Sequence, residues 1–212
     1  MTPAETAEPP VVTLAALYGT GGAAVGRRVA ERLGVEFLDR PKPADAFAAA
    51  DDRPRSRVDR LVSNLARVAD ARTATADPVE RVGFDEHRLR GELEAFLVRS
   101  SREGGVVLGR GGAVVLASVQ GALHVYLGGP RDGRVERVMD RERVERAEAE
   151  HRVDAHDRAR REYVRDFYGV DGDDPGLYHL MLDALALGLE GCVELIVLAS
   201  GHRAATTADT RC

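Results

Sequence analysis

Apolar positions in this chain follow two rhythms, and the switches between them predict its elements. The run "VVTLAALY" is apolar and rich in β-branched residues, with prolines before it and glycines after it, which predicts a buried strand over about 11 to 17. Past the cluster "GTGG", small apolar and basic residues alternate through "VAERLG", predicting a helix at about 23 to 33 closed by Gly34. "VEFLD" reads as a second short strand, and "GGVVLGRGGAVVLA" and "ALHVYLGG" each hold an apolar strand that ends in glycines. Val58, Leu61, Val62, Leu65 and Val68 recur at helical spacing within 56–76, as do Leu89, Leu93, Phe96 and Leu97 within about 85–101. The segment 131–170 is a long, mixed-charge helical region dense in arginine, followed by a helix near 176–190 and an apolar strand or helix "CVELIVLA".

Strands that alternate with helices predict an α/β domain built on a parallel sheet. The helical block at about 41–100 is then an insertion between the second and third strands, and 131–170 a second helical excursion. One domain over 11–199 accounts for the pattern, with polar tails expected to be disordered at 1–10 and 200–212.

Composition narrows the function. A formal net charge of −5 argues against a nucleic-acid protein, because binding a polyanion rests on surplus positive charge. No apolar run approaches membrane-spanning length, and "MTPAETAEPP" has neither the basic start nor the apolar core of a signal peptide. Cys192 and Cys212 are too few for a disulfide framework or a zinc site, so a cytoplasmic protein with reduced thiols is expected. His87, His124, His151, His156, His179 and His202 are scattered without metal-ligand spacing, and no metal site is expected on protein side chains. Lys42 is the only lysine. Any anion held here must be met by arginine or by backbone amides.

The glycine cluster carries the candidate chemistry, and it admits three readings. Gly19, Gly21 and Ala24 satisfy the dinucleotide fingerprint G-x-G-x-x-G/A, with Asp39 about 20 residues on as the ribose-binding acid. Against it, a helical pattern of about 60 residues intervenes where a dinucleotide fold continues promptly into its third strand. A kinase-type phosphate loop is the second reading, in which backbone N–H groups from Gly19 to Gly22 and the helix N-terminus cradle an anion. The third is a plain glycine turn that lets the strand pack closely on the helix.

Four ordered segments decide between them: "YGTGGAAVGRRVAERLGVEFLDR", "GGVVLGRGGAVVLA", "LHVYLGGPRDGRVERVMDRE" and "VDAHDRARREYVRDFYGVDGDDPGLYHLMLDALALGLEGCVELI". Together they resemble the cytidylate kinase-like family, a branch of the P-loop nucleoside monophosphate kinases. The resemblance covers about residues 11–196. It implies a P-loop-type parallel sheet flanked by helices, a helical acceptor-binding insertion and an arginine-rich lid. It also implies ATP with Mg2+ as donor, and CMP or a related pyrimidine nucleoside monophosphate as acceptor.

Carried onto this sequence, the resemblance places Gly19, Thr20, Gly21, Gly22, Ala23 and Ala24 around the donor phosphates, with Gly26 beneath the loop. Arg134 and Arg137 stand at the start of the lid helix on the donor side. Asp39 and Arg40 match the Asp-Arg at the entrance to the acceptor region, and Arg110 in "LGRGG" matches the arginine that grips the acceptor phosphate. In "DAHDRAR", Asp157 and Arg160 match the family's D-x-x-R, the Asp toward the pyrimidine or its sugar and the Arg toward the transferring phosphoryl group. Arginines suit this chemistry because phosphoryl transfer needs alignment, exclusion of water and balanced charge more than covalent help.

The sequence also departs from the pattern. Gly22 stands at the loop lysine and Ala23 at its hydroxyl neighbour, so both the usual charge at the β/γ bridge and the usual metal contact are missing. Ala16 and Leu17 replace an Arg-Glu pair, Gly111 replaces the acid after Arg110, and Val153 replaces an arginine four residues before Asp157, next to Arg152. These losses keep a second function in view: a nucleotide-binding protein that does not catalyse. Most of the remaining arginines between 134 and 165 read as a solvated face of i,i+4 ion pairs, Tyr163, Tyr168 and Tyr178 as packing, and Cys192 as a core thiol.

Overall fold

The computed structural model describes residues 9–38, 98, 102–109 and 111–209. The chain divides into two compact units, Met1–Asp39 with Leu97–Cys212, and Arg40–Phe96. All described residues belong to the first. The helix expected at 56–76 and most of the one at 85–101 lie outside them.

Strand β1 (Val11–Ala16) leads through the glycine loop into helix α1 (Gly22–Leu33), and β2 (Phe37–Leu38) follows. After the undescribed block come β3 (Gly105–Leu108), the short helix α2 (Gly112–Val115) and β4 (Leu123–Gly128). Helices α3 (Arg131–Glu142) and α4 (Arg146–Tyr168) form a hairpin, and a 3-10 turn at Pro175–Leu177, strand β5 (Leu180–Asp183) and helix α5 (Gly188–Asp209) complete the chain. The sheet is parallel throughout, in the order β2-β3-β1-β4-β5. A dinucleotide-binding fold sets β1 beside β2. Here β3 lies between them, which removes the dinucleotide reading of the glycine cluster.

The alternation within β1 divides the molecule into two layers. Val12 and Leu14 face α1 and α5, in a core shared with Val25, Val29, Leu123, Val125, Leu127, Cys192 and Ile196. Each such side chain contributes roughly 1.5–3 kcal/mol by leaving water. Close approach of α1 to the sheet depends on Gly26, where a Cβ would fall 2.4 Å from the Phe37 ring. Gly34 ends α1 in the left-handed conformation at φ 68°, its N–H on the carbonyls of Ala30 and Glu31.

Two expectations about the C-terminal part need correction. The helix expected near 176–190 is instead a 3-10 turn followed by β5. Leucines at 177, 180, 185 and 187 mimic helical spacing, but Leu180 and Leu182 turn inward at a period of two. The Asp183 carboxylate then accepts the N–H groups of Leu185 and Ala186 and turns the chain. The tail expected from 200 is helical through Asp209, docked by buried Ser200 and by Arg203, which donates to the Ala122 carbonyl.

The opposite layer of the sheet is more polar. Thr13 Oγ1 lies 2.9 Å from His124 Nδ1, and the His124 N–H donates to His179 Nδ1 at 2.9 Å. Burial, aided by His179 and Arg203, lowers the His124 pKa from 6.5 to about 4. The folded state therefore holds a neutral ring that the unfolded chain would protonate. Stability should fall as pH drops from 6.5 towards 4, by on the order of 3 kcal/mol. Urea melts across this window should show that slope, flattened in His124→Asn; a flat wild-type profile would contradict a buried neutral His124.

Candidate functional site

The glycine loop leaves β1 at the carboxyl edge of the sheet. Leu17 extends the strand by donating its N–H to the Leu127 carbonyl at 3.0 Å. The chain then turns through Gly19 at φ 86° and Gly21 at φ 82°, a region that residues bearing a Cβ rarely adopt. Gly21 is the N-cap of α1, and its carbonyl takes the Ala24 and Val25 amides, so the Gly22 and Ala23 amides are left at the loop mouth with the positive end of the helix dipole. Backbone arranged in this way can seat an anion.

Side chains add little to the loop itself. Thr20 is 1% exposed and its hydroxyl donates back to the Leu17 carbonyl at 2.7 Å, so it is turned away from the mouth. At Gly22 a Cβ would lie 2.4 Å from the Ala16 Cβ. The close crossing of β1 and α1 thus excludes any side chain, lysine included, at this position. Ala23 offers no hydroxyl, and Ala24, exposed, donates its N–H to the Gly21 carbonyl. Mg2+ finds no side-chain ligand on this loop. Among the described residues no group of three or more His, Cys, Asp or Glu is placed to hold a metal.

What the loop lacks in side chains, the α3–α4 hairpin brings to it. Asp157 and Arg134 are 6% and 5% exposed and paired at 2.7 Å, Arg134 Nη1 to Asp157 Oδ2. The other Asp157 oxygen accepts the Tyr18 N–H at 3.0 Å, and Arg134 Nη1 donates to the Tyr18 carbonyl at 3.0 Å. Arg134 Nε donates to the Gly129 carbonyl at 3.1 Å. The pair therefore clamps both polar groups of one loop residue. Gly19 fits under the hairpin only because it is glycine: a Cβ there would fall 2.8 Å from the Arg134 carbonyl oxygen.

Tyr18 also anchors the loop by its ring, which stacks on His156 at 4.1 Å and lies under the Arg141 guanidinium. It packs on Val135, Val138, Ala149 and Val153 of the hairpin. Its hydroxyl donates to Glu142 at 2.7 Å. Burial alone would raise the Glu142 carboxyl, but hydrogen bonds from Arg141, Tyr18 and Arg152 outweigh it and hold its pKa at about 2. Burial and that bond to Glu142 raise the Tyr18 phenol. Arg152 is engaged by Glu142 and Glu148 and does not stand in for the arginine absent at Val153.

The other arginines separate into distinct settings. Arg137 is half-buried with its Nη2 3.6 Å from where a Gly21 Cβ would stand, which puts a guanidinium at the loop mouth. Arg160 lies one turn beyond Asp157, with its guanidinium 5.4 Å from the centre of the Tyr126 ring and hydrogen-bonded to Asp173 and the Gly172 carbonyl. Asp39, Arg40 and Arg110 lie outside the described residues. The structure thus brings Gly19, Thr20, Gly21, Gly22, Ala23, Arg134, Arg137 and Asp157 together, with Arg160 adjacent. Tyr18, Glu142 and His156 carried no motif in the sequence; the one available signal was an aromatic residue wedged between a buried strand and a glycine turn.

A model of the Cytidylate kinase-like family matches residues 11–185, most of the chain and both edges of this site. The chain belongs to that family. A cytidylate kinase from Methanopyrus kandleri is 28% identical over 182 residues, 82% of this chain and 83% of that protein. A uronate isomerase from Corynebacterium glutamicum is 36% identical over 95 residues, which span 18% of that longer protein. Among solved structures, an uncharacterized protein from Eubacterium ventriosum shares the fold with a TM-score of 0.63 at 17% identity, over 92% of this chain and 99% of that one.

Removing one partner of the clasp should be costly, because it strands a charge in a site closed to water. Asp157→Ala should lose about 3–5 kcal/mol. The double variant Arg134→Met with Asp157→Leu should recover part of that loss, because no charge is left stranded, although the Tyr18 N–H and the Tyr18 and Gly129 carbonyls each lose a partner. Urea denaturation of the three proteins checks this; a double variant no better than Asp157→Ala would show that the pair is not coupled.

Proposed function

We propose that this chain is a nucleoside monophosphate kinase of the cytidylate kinase-like type, a cytoplasmic enzyme that transfers a phosphoryl group from ATP to CMP or a related nucleoside monophosphate. The observation that carries this reading is Arg137, a guanidinium at the mouth of a backbone anion seat whose own sequence offers no cation. Gly19, Gly21, Gly22 and Ala23 hold the donor phosphates by their amides, the Thr20 amide being engaged by the Leu17 carbonyl, and Arg137 supplies the charge that a loop lysine supplies elsewhere. Lying on the hairpin, it reaches the outer phosphates from the side opposite the loop.

The acceptor side of the proposal rests on Arg160 and on Arg110, with Asp39 and Arg40 at the entrance. An acceptor phosphate oxygen attacks the γ-phosphorus of ATP in line, and the bond to the ADP oxygen breaks as the new one forms. The protein's part is alignment and charge balance on the equatorial oxygens. Asp157 and Arg134 act at one remove in this reading. Arg134 Nη1 and both Asp157 oxygens are engaged with each other and with the loop, so in this reading they set its shape and leave nucleotide contact to other residues. Mg2+ would enter with the nucleotide phosphates, since the loop presents it no ligand.

A second reading is a nucleotide-binding protein without turnover, favoured by the steric exclusion of lysine at Gly22. The two readings part on one experiment. ADP release measured with CMP, dCMP, UMP and AMP should show turnover with at least one acceptor. It should fall on the order of 100-fold in Arg137→Ala with the melting curve unchanged, and return in part in Arg137→Lys. Background turnover with every acceptor, alongside calorimetric ATP binding, would establish the second reading. Gly22→Lys should not raise the rate, and should destabilise by about 1–3 kcal/mol through overpacking against Ala16.

A further inference from the structure

Arg160 is not an open cation. Its Nη2 donates to Asp173 Oδ1 and its Nη1 to the Gly172 carbonyl at 3.1 Å. The Tyr126 hydroxyl donates to the same Asp173 oxygen at 3.0 Å, and Arg161 Nη1 stands 3.8 Å from Asp173 Oδ2. Arg160 Nε is a buried donor with no hydrogen-bond partner among the described residues. Two guanidinium groups and a phenol thus converge on one carboxylate, and one donor is left over.

The segment that delivers this carboxylate is built to do so. Of the acids in "VDGDDPG", Asp171 accepts the Asp173 N–H at 3.0 Å, and Asp174 caps the 3-10 turn by accepting the Gly176 N–H at 2.8 Å. Asp173 alone turns in toward Arg160. Gly169, left-handed at φ 69°, begins the segment, and Gly172 lets it close, since a Cβ there would lie 3.2 Å from Arg160 Nη1. Tyr178 holds the far side by donating its hydroxyl to the Gly172 carbonyl at 2.6 Å. The cradle sits near the glycine loop: Tyr126 is in register with Ala15 of β1, and Asp157, one turn before Arg160, touches Tyr18.

We infer that Asp173 is a built-in anion occupying a phosphoryl cradle formed by Arg160, Arg161 and Tyr126, and that a phosphate monoester must displace it to bind. A carboxylate presents two oxygens in one plane, whereas a phosphoryl group presents three in a tetrahedron and can engage Nε as well. The 170–174 segment is then an intramolecular competitor that lowers affinity for phosphorylated ligands and delays use of Arg160 until one arrives. This rests on the reading of Arg160 as phosphate-facing in the proposed function.

The test compares the full-length wild type with Asp173→Asn, which keeps the shape and removes the charge, and with Asp173→Ser as a second replacement. Calorimetric titrations use inorganic phosphate, CMP and, as the uncharged control, cytidine. Both variants should bind CMP or phosphate about tenfold more tightly, with cytidine unchanged and the gain abolished by adding Arg160→Gln. A gain for CMP assigns the cradle to the nucleotide; a gain for phosphate alone assigns it to the free anion. Folded variants that bind neither more tightly, or that gain equally for cytidine, would overturn the inference. Tighter CMP binding without ADP release from any variant would retain the inference and remove the kinase reading.

Discussion

The ion pair between Arg134 and Asp157 is the interaction on which the site depends. It joins two helices of the hairpin to the main chain of a single loop residue, accepting the Tyr18 N–H on one partner and donating to its carbonyl from the other. Burial makes this arrangement exacting. With both side chains nearly closed to solvent, each charge is tolerable only while the other is present, so the loop and the hairpin share one stable geometry. The Tyr18 ring, in contact with His156 and Arg141 and bonded to Glu142, extends the same clamp outward.

Charge at the site follows from that geometry. A phosphate loop commonly carries its own cation, but here Gly22 packs against Ala16 so closely that no side chain fits. The seat remains because amides and a helix dipole belong to the backbone. In the proposed function its cation comes from a neighbouring element: Arg137 is on α3, three residues past the buried Arg134, with its guanidinium beside Gly21. In that reading the loop supplies shape and the hairpin supplies charge.

The sequence made the local parts of this legible. An apolar β-branched run, a glycine cluster and a helix closed by Gly34 are all set by near neighbours, and β1, the loop and α1 appear where the pattern placed them. The arginine-dense stretch likewise became the α3–α4 hairpin. What could not be read depends on distant partners. Tyr18 meets Asp157 across 139 positions and Glu142 across 124, and no periodicity records such pairings. The sequence singled out Asp157 and Arg134, but it could not show that they meet each other. Strand β5 was missed for a different reason: four residues with two inward leucines are too short to establish a period against the helical spacing around them.

The central claim is that this loop binds phosphate through its backbone and borrows its charge from Arg137 while the clasp stays shut. The most direct measurement is an ATP titration of the uniformly 15N-labelled full chain followed by NMR. The amides of Gly19, Gly21 and Gly22 and the Arg137 Nε–H should shift together along one binding curve, with the Tyr18 amide protected from solvent exchange throughout. Loop amides that do not respond to ATP, an Arg137 signal that stays still while they move, or a Tyr18 amide that becomes exchangeable on binding would each contradict the account.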